Sequence, residues 1–81
     1  MNLSVRLFAR ARDLAGAGVV AVELPLGSTV ADLRGKLAVT YPALAPLLGR
    51  SALAVDDEFA DDGRVLAPGT EIALLPPVSG G

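Results

Sequence analysis

From Leu3 to Leu7 apolar and polar residues alternate, so that Leu3, Val5 and Leu7 share one side of an extended chain while Ser4, Arg6 and Phe8 share the other. The pattern predicts a strand over residues 3 to 9 with one buried face. Arg10 to Leu14 fits a short helical turn closed by Gly16-Ala17-Gly18, and Val19 to Leu24 fits a second strand that Pro25 and Gly27 break. Next, Val30, Leu33, Leu37 and Tyr41 recur at helical spacing behind Thr29, with Asp32 three residues past that threonine as in a capping box. A helix over about 29 to 40 follows, ended by Pro42, with a further short turn over Ala43 to Leu48. Leu53 and Val55 mark a third strand. Asp61-Asp62-Gly63 and Ala67-Pro68-Gly69-Thr70 read as turns, and a last strand, Thr70 to Leu75, runs into Pro76-Pro77.

One main helix crossing one mixed sheet satisfies this order best: an α+β chain on the β-grasp (ubiquitin-like) plan, with short extra helical turns. Residues 1–77 are expected to form the domain and residues 78–81 a flexible tail. At 81 residues the chain can build a single core, burying about 60 to 65 per cent of its unfolded surface. With 52% apolar residues but only two Phe, one Tyr and no Trp, that core is aliphatic.

The same parity exposes a possible contact surface. If Ile72 and Leu74 face the helix, then Glu71, Ala73 and Leu75 face outward, and Phe8 and Leu75 become unshielded apolar groups beside the final prolines. Phe59 is either core or an extension of this patch. Arg6, Arg10, Arg12 and Arg64 are solubilising charges or a basic patch on the same open face. Five carboxylates crowd positions 56–62, but without the alternating ligand pattern of a calcium loop they read as solvated hairpin turns, and no metal site is expected.

Composition narrows the chemistry. The chain has no cysteine and no histidine, hence no thiol nucleophile, imidazole base or soft metal ligand, and an iron-sulfur role is excluded. A net charge of −2 argues against general nucleic-acid affinity. No apolar run approaches the roughly 18 to 20 residues of a membrane span and no signal-peptide pattern is present, so a cytoplasmic protein is expected. The serines lack any recognisable base, and Gly16-Ala17-Gly18 is too short for a phosphate loop. What remains is the carboxylate of Gly81. Gly80 and Gly81 can pass a channel too narrow for side chains, and Val78 to Gly81 fully extended reach about 13 Å from the stiff proline pair. On the glycines alone a frayed terminus would serve equally well.

The segments Phe8-Ala9-Arg10-Ala11-Arg12-Asp13-Leu14-Ala15-Gly16, Ser28-Thr29-Val30-Ala31-Asp32-Leu33, Pro68-Gly69-Thr70-Glu71-Ile72-Ala73 and the ending Pro76-Pro77-Val78-Ser79-Gly80-Gly81 resemble the ThiS/MoaD family of ubiquitin-like sulfur carriers, and within it the small subunits of molybdopterin synthase. The resemblance spans essentially the whole chain, and the six-residue ending is its most specific part. It implies that Gly81 is adenylated by an ATP-using partner related to ubiquitin-activating enzymes and converted to a thiocarboxylate with sulfur from a donor protein. No cofactor is held permanently. It further implies that Gly80 enters the synthase large subunit with the tail, that Phe8, Phe59 and Leu75 and the run Pro76, Pro77, Val78 and Ser79 contact that partner, and that sulfur passes to a cyclic pyranopterin precursor to build the molybdopterin dithiolene. Catalytic side chains would then lie mainly on the large subunit, with two carriers flanking a large-subunit dimer. Leu75 stands where an aromatic is frequent in the family and Asp56 where asparagine is common. The alternatives are a carrier for thiamine or cysteine synthesis, or a protein modifier joined to lysines through Gly81.

Overall fold

Val5 and Leu74 are buried to 0% exposure while their neighbours along the chain face outward, and this alternation organises the sheet. The computed structural model describes residues 1–77; Val78, Ser79, Gly80 and Gly81, expected to form the inserted tail, lie outside the described residues. Strand β1 (Asn2–Leu7) is followed by helix α1 (Ala9–Ala15), β2 (Val19–Glu23), the main helix α2 (Val30–Thr40), a 3-10 turn (Pro42–Leu44), α3 (Ala45–Leu48), β3 (Ala52–Val55), β4 (Glu58–Phe59) and β5 (Ile72–Leu75). The strands form one sheet in the order β2-β1-β5-β3-β4. Only β1 and β5 run parallel; the other pairs are antiparallel, so the sheet is mixed. No helix among the described residues is long and apolar enough to cross a membrane.

Leu3, Val5, Leu7, Val20, Val22, Leu53, Val55, Ile72 and Leu74 of the strands pack with Val30, Leu33 and Leu37 of α2 and with Leu44, Leu47 and Leu48 behind it. The core is aliphatic, as the composition implied, and α2 covers only one face of the sheet. Its start is held by the expected capping box: the Asp32 amide donates to Thr29 Oγ1 at 3.3 Å and the Thr29 amide to Asp32 Oδ2 at 2.9 Å, an arrangement worth about 0.5–2 kcal/mol.

Several boundaries differ from the sequence expectation, each for a local reason. The first strand stops at Leu7 rather than continuing to residue 9, because Ala9 takes φ 50 and turns the chain directly into α1. The last strand starts at Ile72, not Thr70: the Thr70 amide closes the Pro68-Gly69 turn on the Ala67 carbonyl (3.3 Å), with Gly69 at φ 79 as a type II turn requires. The Glu71 amide is taken by Asp56 Oδ1 at 3.0 Å. Asp56 and Asp57 occupy φ 51 and 68, the two-residue geometry of a type I′ hairpin, and fold β4 back along β3. That strand was not anticipated. Asp62, expected to be a solvated turn acid, instead pairs with Arg34 Nε at 2.8 Å. Arg34 also donates to the carbonyls of Leu48 and Ser51, tying α2 to the segment after α3.

Candidate functional site

The face of the sheet away from α2 is where the outward residues of five strands meet. Register places Arg6 opposite Val19 on β2 and opposite Ala73 on β5; Ala73 lies opposite Ala54 on β3, and Ala54 opposite Phe59 on β4. These five form one row across the sheet. The next row holds Leu75 opposite Ala52, and Phe8 follows directly on the Leu7–Leu74 pair, which brings it to the same end of β5.

Side-chain size shapes this surface. Ala52, Ala54 and Ala73 are half-buried and form a low floor, while Phe8 (40% exposed) and Phe59 (76% exposed) rise on either side. Phe59 is therefore not core; it stands on the open face, which removes one of the two readings left open by its sequence position. A shallow hollow of about 80 Å³ runs between Arg6, Phe8, Ala54, Asp57, Glu71 and Ala73. The Arg6 guanidinium lies 5.9 Å from the centre of the Phe8 ring, close enough for a cation–π contact. A second hollow of about 440 Å³ continues past Arg6 and Val19 toward Ser4, Thr70 and Glu71. The apolar part of this face, Phe8, Phe59, Leu75 and the three alanines, is bordered by Arg6, Asp57 and Glu71, and apolar area of this kind is typical of a contact surface.

The exit of the chain is fixed by the same geometry. β5 is the central strand, and it runs parallel to β1, so Leu75, Pro76 and Pro77 leave the sheet beside Phe8 at one end of the trough. Leu75 and Pro76 are half-buried and Pro77 is exposed. Proline, lacking an amide proton, cannot extend the ladder, which ends the strand at this rim. The other proposed site residues, Val78 to Gly81, lie outside the described residues.

The four arginines do not gather into one patch. Arg6 sits mid-sheet; Arg10 and Arg12 are on α1, and the Arg12 side chain runs alongside Gly18. Arg64 stands by the start of α2, where its carbonyl accepts the Val30 amide at 3.0 Å. Among the described residues no group of three or more Asp and Glu is arranged to hold a metal ion, and Asp56 and Asp62 have the backbone and arginine partners described above.

A family model, that of the ThiS family, matches residues 5–81. The chain belongs to the ThiS family. This ThiS-family chain is 33% identical over 81 residues to the molybdopterin synthase sulfur carrier subunit of Arabidopsis thaliana, an alignment that covers 100% of the chain and 84% of the relative. Among solved structures it is similar to small archaeal modifier protein 1 of Haloferax volcanii, with a TM-score of 0.88, 31% identity and complete coverage of both chains. It is also similar to a chain in the complex of subunits 1 and 2 of the molybdopterin-converting factor from Helicobacter pylori, with a TM-score of 0.70, 28% identity and complete coverage of both. The ubiquitin-like β-grasp fold expected from the sequence is thus shown by both the topology and the neighbours.

Sequence reasoning placed Phe8, Ala73 and Leu75 on the open face by parity but missed Ala52, Ala54 and Val19. Ala52 and Ala54 could have been found likewise, since they alternate with Leu53 and Val55, but small residues carry little hydrophobic contrast.

Proposed function

We propose that this chain is the sulfur-carrier, small subunit of a molybdopterin synthase, working in the cytoplasm as the sulfur-donating partner of a large subunit. The observation that carries the reading is the placement of Pro76-Pro77 at the rim of an apolar trough by the central strand, in a chain whose family match runs through Gly81. Full-length relatives named as sulfur carriers of molybdopterin synthase support it, as does the likeness to a chain found in complex with subunit 2 of a molybdopterin-converting factor.

The chemistry follows from the functional group. A carboxylate is a poor electrophile, so an adenylating partner joins the Gly81 carboxylate to the α-phosphate of ATP and releases pyrophosphate. A sulfur donor then displaces AMP, leaving a thiocarboxylate. The trough, with Phe8, Phe59 and Leu75, docks the large subunit; Pro76 to Ser79 lead Gly80 and Gly81 into its active site, where sulfur passes to the pyranopterin precursor to form the dithiolene. Two carriers on a dimer of large subunits would give a heterotetramer.

Phe8→Ala and Phe59→Ala test the docking role. Each truncation is expected to weaken large-subunit binding by more than about 1 kcal/mol, while thermal stability changes by less than about 0.5 kcal/mol because both rings are substantially exposed. Titration calorimetry against the large subunit, paired with thermal melts, reads both. Unchanged affinity in both variants would remove the trough from the account.

A second reading, a modifier joined through Gly81 to protein lysines, is favoured by one observation: the high structural similarity to small archaeal modifier protein 1. The two readings share adenylation and part at the next step, where either sulfur or an amine attacks the acyl-adenylate.

A further inference from the structure

The sequence contains one lysine. The other six of its seven basic residues are arginines, and Lys36 carries the only side-chain amine in the chain. It sits on α2, exposed, on the side of the molecule opposite the trough. Among the described residues the one ion pair is Arg34–Asp62, and none of their carboxylates lies within ion-pair distance of the Lys36 ammonium. The other amine, the Met1 amino group, donates to the Leu24 carbonyl at 2.6 Å and is partly buried.

The surroundings of Lys36 also favour approach by a slender chain. Hollows of about 510 Å³ and about 400 Å³ flank it, meeting at Leu24 and Pro25. Its neighbour Gly35 lies in the body of the helix, where glycine costs about 1 kcal/mol against alanine. Packing does not call for it: a Cβ built there meets nothing within 4 Å. The effect is a bare stretch of helix beside the amine, bordered by Asp32 and Val39.

We propose that Lys36 is an acceptor site for the activated Gly81 of a second copy of this chain, so that copies join through a single isopeptide linkage. The proposal rests on the reading of Gly81 as a group activated by adenylation, and it names the amine that the second of the two readings requires. In the step, the Lys36 Nζ attacks the carbonyl carbon of the Gly81 acyl-adenylate; the C–N bond forms, the C–O bond to phosphate breaks, AMP leaves, and the amine's proton goes to solvent. The side-chain-free ending Gly80-Gly81 suits the path over Gly35. Because Lys36 lies across the molecule from Phe8 and Phe59, a joined copy leaves the trough of its acceptor open.

The test incubates the full chain with its adenylating partner and ATP, with no sulfur donor present, and follows the acyl-adenylate by intact mass and conjugates by denaturing electrophoresis. The wild-type chain should give a band at twice the monomer mass. After trypsin, which cleaves at Arg34 and Arg64, the branched peptide should carry Val65–Gly81 on Lys36. Lys36→Arg should lose the conjugate while still forming the adenylate and still accepting sulfur when a donor is added. Adenylate without conjugate, or conjugate persisting in Lys36→Arg through the Met1 amine, would overturn the linkage while leaving the carrier function standing. Absence of the adenylate itself would remove both.

Discussion

Deletion of Gly81 is expected to abolish sulfur acceptance altogether while leaving the folded state where it was. The loss should be complete because the chain offers no substitute: with neither cysteine nor histidine, no side chain can hold a transferable sulfur as a thiol derivative. The new terminus at Gly80 would still bear a carboxylate, but one residue, about 3.3–3.6 Å, short of the adenylating centre and of the large subunit's active site. That displacement is far beyond the near-attack tolerance within which acyl transfer proceeds. Folding should be indifferent, since the buried core runs from Leu3 to Leu74 and ends before the prolines. Thermal melts of the truncated chain should overlay those of the full chain, and mass analysis after activation should show no sulfur adduct. A truncated chain that fails to fold would make the terminus structural.

Leu74→Ala is expected to have the opposite profile, with a large loss of stability and no direct loss of chemistry. Leu74 is fully buried in the central strand, opposite Leu7 on β1 and Leu53 on β3. Truncating a leucine in such a position costs about 2–5 kcal/mol, from lost transfer energy and the cavity left behind. A chain of this length has a total stability on the order of 4–12 kcal/mol, so the variant loses a large share of it. At about 4–8 °C per kcal/mol, the melting midpoint should fall by at least about 8 °C. Leu75→Ala provides the internal contrast. One residue further on, the side chain turns to the open face and is only half-buried, so the same truncation should cost much less. Denaturant titrations of the two variants separate the cases; equal losses would contradict the face assignment along β5.

The contrast between Leu74 and Leu75 is the part of this molecule that was plainest in the sequence. Period-two alternation in β1 and β5 assigns faces without any knowledge of tertiary structure, because successive side chains of a strand point to opposite sides. Thr29 and Asp32 were legible for a similar reason: the capping box is local, closed within four residues. Pro68-Gly69 was legible as a turn because its backbone angles are written in the residue types.

Features that depend on distant partners were not legible. β4 is two residues long and exposed, with a charged glutamate, and exists because Asp56 and Asp57 adopt left-handed angles that return the chain to β3. Neither its length nor its composition distinguishes it from a solvated loop. Arg34 drew no notice in the sequence, yet it bonds Asp62, 28 positions away, and carbonyls of Leu48 and Ser51. The trough was half legible. Its walls were visible as aromatics, but its floor is three alanines whose function is their small size, and only the pairing of β3 with β5 brings Ala52 and Ala54 beside Ala73. Val19 was assigned to a strand, but its place at the end of the row depends on pairing with Arg6.

The measurement that tests the central claim most directly is the intact mass of the chain after incubation with its adenylating partner, ATP and a sulfur donor. Replacement of one terminal oxygen by sulfur adds about 16 Da. The account predicts that gain on the full chain, localised by fragmentation to Gly81, dependent on ATP and lost on transfer to the pyranopterin precursor in the presence of the large subunit. Adenylation followed only by attachment to protein amines, with no sulfur adduct under any donor, would contradict it and leave the chain a modifier rather than a carrier.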